Sequence, residues 1–64
     1  MFEVNDRVQI PAHTDRWMAG DRFGTVVAVH PAPAYFLPAW VSVKLDKSGR
    51  TRRFIANDCA EVAS

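Results

Sequence analysis

The chain has 64 residues, a net charge of +1, 48% apolar residues and 23% charged residues. That length makes one domain, residues 1–64, which buries only ~60% of the surface its unfolded chain exposes and has no core to spare for a large internal ligand cavity. The composition excludes a disordered tail, no apolar run approaches the ~20 residues of a membrane helix, and so small a net charge excludes a strong general attraction to nucleic acid.

The opening residues, MFEVNDRVQI, put acidic and polar side chains where a secretion signal needs an apolar stretch, so a cytoplasmic protein is the expectation. Within them Asp6-Arg7-Val8-Gln9-Ile10 alternates polar and apolar, which predicts a strand with Val8 and Ile10 on one face, ended by Pro11. Residues 12–22, AHTDRWMAGDR, lack a period of two and read as a loop, with Trp17 and Met18 folded back or exposed. Phe23-Gly24-Thr25-Val26-Val27-Ala28-Val29 is the strongest strand signal. Its near-continuous apolar run implies burial on both faces or a bulge, and Gly24 is a suitable place for one.

Pro31, Pro33 and Pro38 make residues 30–39 a stiff, extended, partly apolar loop. Trp40-Val41-Ser42-Val43-Lys44-Leu45-Asp46 then alternates cleanly with Val41, Val43 and Leu45 inward, and Arg50 to Ala56 returns as the next strand. A two-residue turn at Ser48-Gly49 pairs Val43 with Phe54; a four-residue loop over Asp46 to Gly49 pairs Val41 with Phe54. Both put Phe54 in the core, because both preserve parity. Residues 56–59 suggest a 3₁₀ turn before a brief last strand around Glu61-Val62. The predicted core is Val8, Ile10, Val26 or Val27, Val29, Val41, Val43, Leu45, Phe54 and Val62. The expectation is an all-β chain of five strands without a helix, most economically curled into a small barrel that removes its edges.

Asn5-Asp6-Arg7-Val8, the Phe23–Val29 run, Val41–Asp46, and Phe54 followed by Asp58-Cys59-Ala60-Glu61-Val62 together resemble the SH3-like barrel families over nearly the whole chain. KOW and Tudor-type modules, the electron-transport accessory barrels (among them the small photosystem I subunit that docks ferredoxin), the barrel of the nitrile hydratase β subunit and the plasmid-encoded type II dihydrofolate reductases share this pattern. The accessory barrels are the most similar in layout, with Trp17 standing in their aromatic loop. The reductases carry Val-Gln-Ile-Tyr where this chain has Arg53-Phe54-Ile55-Ala56, which argues against their activity. The resemblance implies a five-stranded SH3-like barrel; the fold alone gives no function.

Two surfaces are candidates for binding. Trp17, Tyr35, Phe36, Leu37 and Trp40 suit a protein-docking or accessory-subunit module, since prolines lower the cost of ordering a loop and Tyr and Trp serve as interface anchors. The alternative is that this loop closes over one end of the core. Lys44, Lys47, Arg50 and Arg53, with Arg52, form a basic hairpin that suits phosphates of a KOW- or Tudor-like nucleic-acid partner, or else simply solvates a sheet edge. An enzyme built from an oligomer interface is the third reading. His13, His30, Cys59, Asp15 and Asp21 lack the close spacing of a zinc site, so neither metal nor other cofactor is expected. Cys59, the sole cysteine, permits no intrachain disulfide, agrees with a reducing compartment and reads as a small buried apolar residue. The expected partner is another protein or a second copy of the chain, with nucleic acid second and no membrane.

Overall fold

The computed structural model describes residues 2–62. Five strands, β1 (Arg7–Gln9), β2 (Phe23–His30), β3 (Trp40–Leu45), β4 (Thr51–Ile55) and β5 (Ala60–Glu61), form one antiparallel sheet in the order β4-β3-β2-β1-β5. A 3₁₀ turn, Ala56–Asp58, precedes β5. Strands β4 and β5 are the edges. The β3–β4 register pairs Val41 with Phe54, as a four-residue connection over Asp46–Gly49 requires, and Gly49 takes the left-handed conformation at φ 71°.

Val8, Ile10, Val26, Val41, Val43, Leu45 and Phe54 are buried and form one cluster, with Phe2, Trp17, Val29, Ala56 and Cys59 packed around it. Among the described residues one sheet carries this cluster, on the face opposite Ser42, Lys44 and Arg53. Val29 is half-buried against the cluster, and Val62 is only half-buried. Residues 26 and 29 have opposite parity, so both reach the inner face only if one residue is inserted between them. The register against β3 shifts between Val26 and Ala28, leaving Val27 as the extra residue, 44% exposed. The bulge is therefore at Val27, not at Gly24.

Gly24 has another task. A Cβ there would collide with Val43 Cγ1 and lie 2.6 Å from the Lys44 carbonyl oxygen. The missing side chain lets β2 and β3 approach closely at this point.

The 11–22 segment contains a helix, contrary to the sequence expectation. Helix α1 (Asp15–Met18) is one turn long, too short to show a period but well capped. The Thr14 hydroxyl oxygen accepts from Trp17 N–H at 3.3 Å. At the other end Asp21 N–H donates to the Arg16 carbonyl and Gly20 N–H to the Trp17 carbonyl, both at 2.9 Å, with Gly20 at φ 90°. Asp21 follows, only 2% exposed. Its carboxylate accepts Lys47 N–H at 3.1 Å and Ser48 N–H at 3.3 Å. Lys47 Nζ returns a bond to the Ala19 carbonyl at 2.8 Å. The loop and the β3–β4 turn are thus tied together from both sides.

Three predictions follow from this packing. Phe54→Ala removes the one aromatic side chain in the buried cluster and costs ~3–5 kcal/mol, a large share of what so small a domain possesses; a denaturant melt with an unchanged midpoint would show the register to be wrong. Gly24→Ala forces β2 and β3 apart and costs ~1–3 kcal/mol. At Gly49 no atom lies within 4 Å of an added Cβ, so Gly49→Ala incurs only left-handed backbone strain, ~1–2 kcal/mol.

A fourth concerns acid. The Ser48 hydrogen bond, with backbone donors from Lys47 and Ser48, holds the Asp21 carboxyl below its ordinary value against the opposing effect of burial. Arg7 does the same for Asp46 through a two-pronged ion pair, whose Nη1–Oδ1 arm is 2.8 Å. A carboxyl lowered in the folded state binds its proton later than in the unfolded chain. The stability it adds is complete above about pH 5 and is lost as the pH falls through ~4 and below. The Arg7–Asp46 pair is 42% and 50% exposed, so solvent screening limits it to ~1 kcal/mol or less. Asp21→Asn should lower the neutral-pH melting temperature and flatten its decline below pH 5; an undiminished acid decline would exclude Asp21 as a source.

Candidate functional site

The connection between β2 and β3 is built at its base and free at its tip. His30 pairs with Trp40 across the closing ladder, and Ala56 N–H donates to the Ala39 carbonyl at 2.9 Å. Between these points the prolines stiffen the chain, and a turn closes from Leu37 N–H to the Ala34 carbonyl at 3.0 Å. The tip faces solvent: Tyr35 is 99%, Phe36 72% and Leu37 43% exposed. Their only mutual order is an edge-to-face contact of the Tyr35 and Phe36 rings, centroids 5.4 Å apart. These side chains do not complete the core.

Trp40 stands at the base of this loop. It begins β3 on the outer face, in a row with His30 of β2 and Ile55 of β4, and is 37% exposed. Beside it a cleft of about 170 Å³ is lined by Pro11, His13, Thr14, Arg53, Ile55 and Asp58, among others. The segment after β1 thus meets Trp40 through its first residues. Trp17 is not part of that lining. It is half-buried against the core, with the Arg22 guanidinium 4.7 Å over its ring, and the chain after it is tied to the β3–β4 turn. In the sequence His13 is weighed only as a metal ligand and Thr14 is not singled out; the fold of residues 11–14 brings both to this cleft.

The basic residues separate on folding. Lys44 and Arg53 project from the outer face, opposite Thr25 and Ser42 respectively. Arg50 and Arg52 lie on the other side of the β4 edge by register, and both are exposed. Lys47 is engaged with Ala19. A second, broader depression of about 400 Å³ sits over Thr25, Val27, Lys44 and Asp46 near the turn, at the far end of β2 and β3 from the aromatic loop.

His30 Nε2 and the Ser42 Oγ are 2.9 Å apart. Burial, helped by the nearby Asp58 charge, pushes the Cys59 thiol above its ordinary pKa, which favours the unreactive protonated form. It contacts the Ile55 carbonyl at 3.6 Å. Among the described residues no group of three or more His, Cys, Asp or Glu side chains is placed to hold a metal, and no helix is long and apolar enough to cross a membrane. Comparison with known proteins gives no match to this chain: no family model, no curated protein and no solved structure.

Proposed function

We propose that this chain is a small binding module of the SH3-like barrel type that docks another protein through the 31–39 loop. The strand order, the 3₁₀ turn before β5 and the apolar cluster on one face of the sheet support the barrel reading. The observation that carries the docking reading is the exposure of Tyr35 and Phe36 on a loop whose base is fixed by the sheet. A large apolar side chain held in water by a rigid loop gains by covering: the entropic cost of ordering has been met largely by the prolines, and the apolar surface is still available. Trp40 and its cleft lie at the base of that loop and offer a recess for one side chain of the partner. The chemistry is recognition, without a reaction.

The test is a pair of variants. Tyr35→Ala and Phe36→Ala should leave the melting temperature unchanged, because neither side chain is packed. Each should weaken a partner captured from the native host, or self-association measured by sedimentation, by ~2 kcal/mol or about thirtyfold. Unaltered association in both variants, or a fall of several degrees in both melts, would overturn the proposal.

A further inference from the structure

Residues 22–57 contain a single carboxylate, Asp46, and Arg7 neutralises it. Strands β2, β3 and β4 therefore present no free negative charge of their own. Over the same stretch Lys44, Arg50, Arg52 and Arg53 make no ion pair among the described residues. The three arginines follow β4, which is a sheet edge. Alternation puts Arg53 on the outer face with Lys44, while Arg52 lies on the opposite side of the same edge. Cations thus flank the strand on both sides. The ladder bonds of Arg50 and Ala56 point toward β3, so by alternation the backbone groups of Thr51, Arg53 and Ile55 face outward.

The outer face adds a second feature. Its rows are Lys44 with Thr51 and Thr25, then Ser42 with Arg53, then Trp40 with Ile55 and His30. Same-face rows are about 7 Å apart, close to the repeat of an extended single strand. A cation, then a hydroxyl beside a guanidinium, then a half-exposed indole form a track that alternates phosphate-binding and base-stacking chemistry. Edge charges that only discourage strand addition need no aromatic ring in line with them.

We infer that the β4 edge and adjoining outer face bind single-stranded nucleic acid, with Arg50, Arg52, Arg53 and Lys44 on the phosphates and Trp40 under a base. The site shares Trp40 and its cleft with the docking surface but does not use the Tyr35–Phe36 tip. A double helix fits less well, because the outer face offers an indole for stacking and, among the described residues, no helix is long enough to enter a groove.

The test is fluorescence anisotropy with labelled oligo-U and oligo-dT on the full chain, across a salt series starting at low ionic strength. Binding should weaken with salt, and Arg53→Gln and Lys44→Gln should each reduce the slope of log K against log salt by about 0.7. Trp40→Leu should weaken binding about tenfold while leaving the salt slope unchanged. Tyr35→Ala should leave both unchanged. Circular dichroism of each variant establishes that it is folded. No binding of either oligonucleotide at low salt overturns the inference, as does equal binding by the Lys44 and Arg53 variants. Binding of poly-glutamate in place of both oligonucleotides overturns it in favour of an acidic protein partner, and loss of binding in Tyr35→Ala moves the contact to the loop.

Discussion

One inserted residue decides how this sheet is built. A strand turns alternate side chains to opposite faces, so a run such as Val26-Val27-Ala28-Val29 cannot place both its outer valines inward without a break. The bulge at Val27 supplies that break. Before it, Val26 meets Val43; after it, Val29 meets Val41 and, through it, Phe54. The bulge also increases local twist, which bends the strand toward the apolar face it helps to fill. Gly24 works in the same direction from the other end of β2, where the backbone of β3 comes too close for any side chain.

The same break fixes what faces outward. With Val29 inside, Ala28 and His30 lie outside, and so do Ser42, Arg53, Trp40 and Ile55 across the ladder. The chemistry of the outer surface is therefore a consequence of core registry. Trp40 is half-exposed because its neighbours along the strand, Val41 and Val43, are needed in the core.

Much of this was legible in the sequence. Alternation located β3 and the core faces of β1 and β4, and parity placed Phe54 inward before the turn length was known. The apolar run in β2 left burial on both faces or a bulge open, and a glycine in a strand signals a bulge and a close approach equally; here it serves the second purpose. Helix α1 escaped because one turn has no period; its signals were Thr14 and Gly20, which fit an ordinary loop as well. Asp21 gave no signal, since an aspartate before a strand is usually solvated and its partners lie 26 and 27 residues away. The exposed state of Tyr35 and Phe36 was likewise undecided, because an apolar loop on a small domain serves equally as lid or as contact. The cleft beside Trp40 depends on how residues 11–14 fold back, which no local pattern encodes.

The bonds between Asp21, Lys47, Ser48 and Ala19 join two segments distant in the chain into one mechanical unit. Neither can swing away without breaking all three contacts, so the amide protons of Lys47 and Ser48 exchange with solvent only in openings that also release the segment after α1. The 31–39 loop has no such strap: beyond its base it is held by one internal turn. The molecule thus divides into an end cross-tied between two distant segments and an end whose tip rests on its own base and turn. A contact made at that tip therefore touches none of the bonds that hold the other end together.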